Sequence, residues 1–312
     1  MEIVVQLLLL VLGFVLLVKG ADWFVDGAAG IARKFGIPSL VIGLTIVAMG
    51  TSAPEAAVSI TSALKGNAGI TIGNVVGSNI LNVLVILGLT AVLNAIPVAK
   101  ATIKVDAPFM LAITVLMLVF GYTGNSITLV EGIVFCVVFA GYLIYLFRGA
   151  KKDAASAEET EEEEAPKPLW KLLLACAVGL VMIILGSDVA VDAASVIARV
   201  LGMSERLIGL TIVAFGTSLP ELVTSVSAAR KGETDIAVGN IVGSNIFNIL
   251  FVVGLTALIT PVAFEAKFVI DTLIAFGAGA LLFVFVVRDK LLSRVEGIVM
   301  LVAYAAYFVY LL

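Results

Sequence analysis

Gly43–Leu93 reads GLTIVAMGTSAPEAAVSITSALKGNAGITIGNVVGSNILNVLVILGLTAVL, and Gly209–Ile259 reads GLTIVAFGTSLPELVTSVSAARKGETDIAVGNIVGSNIFNILFVVGLTALI. The two stretches align without a gap, with Glu55 falling on Glu221 and Asn82 on Asn248. Roughly half the aligned positions are identical, far more than a shared apolar composition produces, so the chain is an internal duplication. The match extends back to Asp22 and Asp26, which fall on Asp188 and Asp192.

Around these stretches the chain is strongly apolar. Of 312 residues, 61% are hydrophobic and 13% charged, and the mean hydropathy is +1.18. A soluble domain carries about twice that share of charge, so this composition excludes a water-soluble globule and a disordered chain alike. There is no histidine. That removes a Ser-His-Asp triad, a His-ligated metal and an imidazole proton switch. The net charge of −4 gives no reason to expect a nucleic-acid partner. Cys136 and Cys176 sit in separate apolar runs and read as small buried hydrophobes.

Apolar windows of membrane-crossing length place ten helical spans near 3–33, 38–64, 69–94, 105–121, 127–147, 168–199, 204–230, 235–259, 267–287 and 292–311. The lysines and arginines test this count. Lys65, Arg199, Arg206 and Lys267 follow even-numbered spans and Lys19 lies inside the first; the other fourteen of the nineteen follow odd-numbered spans. The basic side is expected to be cytoplasmic, which puts both termini outside. Lys19 is placed to pair with Asp22 or to snorkel, and the four aspartates mark where the long first and sixth spans meet the interface. Residues 149–168, with Glu161 to Glu164 in a row, read as a solvated connector between halves 1–148 and 169–312. Without that segment the rest of the chain is neutral. Each half holds five spans, an odd number, so the second copy is expected to enter from the opposite face. The fold class expected is all-α, with ten transmembrane helices in two inverted-topology repeats and a site near the midplane where they meet.

The second and seventh spans carry Gly50-Thr51-Ser52-Ala53-Pro54-Glu55 and Gly216-Thr217-Ser218-Leu219-Pro220-Glu221. A carboxylate in mid-membrane is costly unless paired, solvated or ion-bound, and no basic residue lies in either motif. Helical spacing puts Thr51 and Ser52 on the face of Glu55, and each proline is expected to break its helix and free the carbonyl four residues earlier. Carbonyls, hydroxyls and carboxylates together make an oxygen cage for a hard cation. The third and eighth spans carry Gly73-Asn74-Val75-Val76-Gly77-Ser78-Asn79-Ile80-Leu81-Asn82 and its copy Gly239 to Asn248. Ser78 and Asn82, and Ser244 and Asn248, each share a face and read as ligands. Gly73/Gly77 and Gly239/Gly243 read as close-packing pairs. Asn74, Asn79, Asn240 and Asn245 read as links between helices.

The paired GTSxPE and GNxxGSNIxN segments resemble the alpha-repeats of the cation/calcium antiporter superfamily, and among its members prokaryotic sodium/calcium exchangers. The resemblance implies that Glu55 and Glu221 are the central calcium-binding carboxylates. It implies that Thr51, Ser52, Thr217, Ser218, Ser78, Ser244, Asn82 and Asn248 complete the calcium and sodium sites, with the carbonyls of Ala48 and Ala214. It implies long first and sixth helices that slide against the rest, and Na⁺-driven export of Ca²⁺ from the cell. Some exchangers have Asp where Asn82 or Asn248 stands here, so this core is one carboxylate poorer and more symmetric. A Ca²⁺/H⁺ exchanger with Glu55 and Glu221 as proton carriers, or a cation channel, stays open. No enzymatic activity and no resident cofactor are expected. The partners expected are the lipid bilayer of the inner membrane and the transported ions, with a single chain as the functional unit.

Overall fold

The computed structural model describes residues 2–156, 168–203, 212 and 214–311. Eleven long helices carry the architecture: α1 Glu2–Phe35, α2 Ser39–Thr51, α3 Ala53–Leu64, α4 Gly69–Leu93, α5 Thr102–Gly124, α6 Leu129–Ser156, α7 Leu169–Val200, α8 Leu219–Arg230, α9 Thr234–Ile259, α10 Ala266–Asp289 and α11 Arg294–Leu311. Among the described residues, eight of these helices are long and apolar enough to cross a membrane. α2 and α3, bent by 47° at their junction, make a ninth span together. The remaining expected span, the seventh at 204–230, lies largely outside the described residues in its first half; a single turn, Ala214–Gly216, and α8 belong to it. α6 runs on to Ser156, so the first part of the expected connector is helix; residues 157–167 of that connector lie outside the described residues.

α4 and α9 form the centre. Every residue of α9 from Ile236 to Phe247 is buried. The outer helices expose apolar faces, with Val4, Leu8 and Val11 of α1 each 60% exposed or more, as a helix in lipid does. α1 and α7 pass each other in opposite senses: Gly13 faces Gly186, Gly20 faces Gly179, and Gly27 faces Leu172 and Cys176. A Cβ on Gly20 would sit 2.8 Å from the Gly179 carbonyl oxygen, so only glycine permits this approach.

Two short clasps were not apparent from the sequence. β1 Ile96–Pro97 pairs antiparallel with β4 Leu291–Leu292, and β2 Ser126–Ile127 pairs with β3 Val262–Ala263. Each joins a loop of the first half to a loop of the second. Asn125 and Lys290 adopt left-handed conformations (φ 51° and 52°) that end α5 and α10 and lead into β2 and β4. α6 and α11 then start alike. Glu131 accepts from the Thr128 N–H at 2.7 Å and Glu296 from the Ser293 N–H at 2.7 Å, as in a capping box; the reciprocal bond, Glu296 N–H to the Ser293 hydroxyl at 3.4 Å, is made at the second.

Candidate functional site: a buried carboxylate pair

Pro54 and Pro220 act as their chemistry dictates. Proline has no N–H for the residue four back and is tolerated in a first turn. Each falls in the first turn of its helix, α3 and α8, and the helix before it stops. The break falls at Ser52, whose backbone (φ −83°, ψ 9°) is not helical. At the other copy the Gly216 carbonyl, which Pro220 cannot serve, accepts from Ser187 of α7 at 2.8 Å.

These breaks put Glu55 and Glu221 at the starts of α3 and α8, both completely buried. Helix N-termini favour negative charge there. The hydroxyls are wired differently from the expectation that Thr51 and Ser52 share the face of Glu55. Ser52 donates to Glu221 Oε1 at 2.7 Å, not to Glu55. Ser218 donates to Glu55 Oε1 at 3.3 Å. The physical reason is the break itself: it turns Ser52 off the face that carries Glu55 and toward the other half. Ser78 donates to the same Glu55 oxygen at 3.4 Å and lies 3.3 Å from the Ser218 hydroxyl.

The remaining oxygens form a second layer. Thr51 donates to Asn240 Oδ1 at 3.0 Å. The Ala48 carbonyl accepts from the Ser52 N–H, and from the hydroxyls of Thr51 at 3.3 Å and Ser244 at 3.5 Å. Asn74 donates to the Glu55 carbonyl at 3.1 Å and to Ser59, and Asn240 mirrors it on the Glu221 carbonyl at 3.4 Å and Ser225. Thr217 is half-buried in the turn before Ser218, and Ala214 begins the single helical turn Ala214–Gly216. Asn82 donates to Asn245 and Asn248 to Asn79, each at 3.1 Å.

Four buried oxygens around this cluster accept no hydrogen bond: Glu55 Oε2, Glu221 Oε2, Asn82 Oδ1 and Asn248 Oδ1. They come in matching pairs. Among the described residues neither glutamate meets a lysine or arginine. Buried acceptors are nearly always satisfied, and an unpaired buried carboxylate is among the costliest groups a protein can hold. A set of unsatisfied oxygens with two carboxylates fits a cation as the missing partner.

The glycine expectation holds for one copy. A Cβ at Gly239 would meet the Leu40 carbonyl oxygen at 2.9 Å, and at Gly243 that of Leu44 at 2.7 Å. Gly73 leaves ordinary room beside Phe268, and Gly77 has nothing within 4 Å among the described residues. Asp22 pairs elsewhere than with Lys19. Ser227 donates to it at 2.7 Å, while Lys231 bonds its carbonyl at 2.8 Å and Asp26 at 2.7 Å. Two further acids escaped sequence reasoning: Asp106 and Asp271, which accept from Tyr142 at 2.9 Å and Tyr307 at 3.3 Å. Their recurrence in the second half was the available signal.

Two buried carboxylates, held apart from any base between matching halves of a helical membrane protein, define a membrane transporter of cations. The profile of the sodium/calcium exchanger protein family matches residues 5–148 and 171–312. The chain is 36% identical over 353 aligned positions to the sodium/calcium exchanger MaX1 of Methanosarcina acetivorans, across 99% of each. It is 39% identical to the inner membrane protein YrbG of Escherichia coli, across 81% of this chain and 79% of that one. Its structure resembles that of the sodium-calcium exchanger NCX_Mj with a TM-score of 0.87 and 31% identity, covering 99% of this chain and 100% of the other. The chain belongs to the sodium/calcium exchanger family and is an integral-membrane cation/Ca²⁺ antiporter.

Proposed function

We propose that the chain exchanges Na⁺ for Ca²⁺ at one central site between Glu55 and Glu221, exporting Ca²⁺ from the cell. The observation that carries this reading is the set of four unsatisfied buried oxygens, paired across the two halves. Two glutamates carry −2, which one Ca²⁺ neutralises. Na⁺ ions answer the same charge singly, so the two cargoes compete for the same oxygens. Ser52 and Ser218, each serving the carboxylate of the other half, tie both glutamates into one unit. The empty, charged site resists crossing the bilayer, so only a loaded carrier reorients, and exchange follows.

The topology we infer is ten crossings in two inverted halves, 1–148 and 169–312, with both termini outside. Several contacts support it. β1–β4 joins the loops after the third and ninth spans, and β2–β3 those after the fourth and eighth. Arg33 meets Glu233 at 2.8 Å, joining the segments that follow the first and seventh spans. Each contact links loops that ten crossings put on one side. The opposed run of α1 and α7 and the reciprocal bonds between Asn79 and Asn245, 166 residues apart, fit an axis in the membrane plane.

Alternating access then asks for ends in unlike states. On the inner side α1 is tied to Ser227, Lys231 and Glu233. The matching outer residues, Asp188 and Asp192 of α7, make no such bond to Thr61 or Lys65 among the described residues. A cavity of about 700 Å³ on that outer side, lined by Val58, Asn67, Gly73, Asn74, Glu265 and Lys267, reaches the asparagine that bonds the Glu55 carbonyl. We read this arrangement as outward-facing.

Equilibrium ⁴⁵Ca²⁺ binding to the purified full chain tests the site. Na⁺ is expected to displace Ca²⁺ at constant pH, and Glu55→Gln or Glu221→Gln to abolish binding. Binding that ignores Na⁺ and responds only to protons would favour the Ca²⁺/H⁺ reading instead.

A further inference from the structure

We propose that Asn79 and Asn245 are positioning residues of the cation site, each fixing the direction of the ligand amide of the opposite half. The inference rests on the reading of Asn82 and Asn248 as cation ligands.

An asparagine amide has an oxygen end that only accepts and a nitrogen end that only donates, and nothing in its shape distinguishes them. Its surroundings decide which end points where. For Asn245 the decision is made by a backbone carbonyl. Its Nδ2 lies 3.3 Å from the Asn79 carbonyl oxygen and 3.6 Å from Met110 Sδ. A carbonyl oxygen can only accept, so the nitrogen end must face it. The Asn245 Oδ1 therefore takes the other direction, where only a donor can meet it. Asn82 supplies that donor, Nδ2 at 3.1 Å. With its nitrogen committed, Asn82 has one direction left for Oδ1, which is buried and without a partner.

The mirror chain has the same polarity. Asn79 Nδ2 donates to the Asn245 carbonyl at 3.3 Å, Asn248 Nδ2 donates to Asn79 Oδ1 at 3.1 Å, and Asn248 Oδ1 is left over. Asn79 is 5% exposed and Asn245 3%, so water does not compete for these bonds. Asn82 and Ser78 lie one turn apart on α4, and Ser78 bonds Glu55. Asn82 and Asn248 also begin the two π-helical segments of α4 and α9, Asn82–Leu87 and Asn248–Val253, whose wider turn is typical of functional positions.

The result is two oxygen ligands aimed without adding charge. The first half aims the ligand of the second, and the second aims that of the first. Replacing Asn245 by Ala leaves the Asn82 amide free to turn, so its nitrogen can face the cation in place of its oxygen.

A double-mutant cycle on Ca²⁺ flux in proteoliposomes of the full chain tests this. Asn82→Ala and Asn245→Ala are each expected to raise the KM for Ca²⁺ about tenfold with Vmax within about twofold, the size of one lost charge-assisted bond. If Asn245 acts through Asn82, the double variant is no worse than either single one. A double variant about a hundredfold impaired, or an unchanged KM in Asn245→Ala, would overturn the proposal. So would an unchanged KM in Asn82→Ala beside a dead Glu55→Gln, which removes Asn82 from the cation shell but spares the carboxylate site. Normal flux in Glu55→Gln would overturn the site reading itself. Asn79→Ala with Asn248→Ala gives a second cycle should Asn245→Ala not fold.

Discussion

Glu55 and Glu221 are each held by a serine from the other half of the chain. Ser52 reaches Glu221 Oε1 at 2.7 Å and Ser218 reaches Glu55 Oε1 at 3.3 Å. Removing one carboxylate charge from a buried cation site costs the attraction that offsets desolvation of the ion, about 2.7 kcal/mol or more. Glu55→Gln and Glu221→Gln are therefore each expected to lower Ca²⁺ uptake at least about a hundredfold, read as initial rates in vesicles. Ser52→Ala leaves Glu221 Oε1 short of a donor, and the expected loss is smaller, about 1–2 kcal/mol or roughly tenfold in Ca²⁺ affinity. The carboxylates and hydroxyls were legible in the sequence because an acid beside proline in an apolar span has few uses other than binding. Which hydroxyl serves which acid was not. Helical spacing assumes an unbroken helix, and the chain breaks at Ser52, so the serine turns across the interface. The amide polarity of Asn79 and Asn245 was equally out of reach, since it depends on backbone carbonyls from the other half.

At the scale of elements, the contact between α1 and α7 depends on glycine. Gly20 and Gly179 allow a backbone approach in which an added Cβ would meet the opposing chain at 2.8 Å or less. Gly20→Val or Gly179→Val is expected to force the helices apart and destabilise the chain by about 1–3 kcal/mol, as overpacking does. The thermal midpoint of the detergent-solubilised protein measures it. Lys231 ties the C-terminal part of α1 to α8 through Asp22 and Asp26. A cavity of about 590 Å³ beside it is lined by Val18, Leu93, Val226 and Ser227. With Cys136 and Cys176 replaced, Lys231→Ala is expected to speed labelling of a Val226→Cys probe by a membrane-impermeant thiol reagent added on the side that the proposed topology makes cytoplasmic. Unchanged labelling would mean that the lysine does not hold this end. The helices themselves were legible, because about twenty apolar residues in a row leave little choice of structure in lipid. The clasps β1–β4 and β2–β3 were not. Strands of two residues have no period to detect, and their partners lie in the other half of the sequence. The capping boxes that follow β2 and β4 were within reach: Thr128 to Glu131 and Ser293 to Glu296 carry the required spacing.

For the whole molecule, the internal match was the most informative feature of the sequence. It implied two related halves, and the hydrogen bonds that cross between them repeat in matching pairs: Asn79 with Asn245, Asn82 with Asn245 against Asn248 with Asn79. The symmetry is incomplete where it matters for movement. The C-terminal part of α1 is bonded to the second half, and among the described residues the corresponding part of α7 is not bonded to Lys65. Under the inverted topology proposed above, halves in unlike states are what a carrier needs to open one way at a time. The central claim is that a Na⁺ gradient moves Ca²⁺ through the Glu55–Glu221 site, and flux into proteoliposomes tests it most directly. With pH equal on both sides and Na⁺ loaded inside, external Ca²⁺ is expected to accumulate against its own gradient. It should stop when Na⁺ is equalised, and it should be absent in Glu55→Gln. Accumulation driven only by a pH gradient, with Na⁺ equal on both sides, would contradict this account.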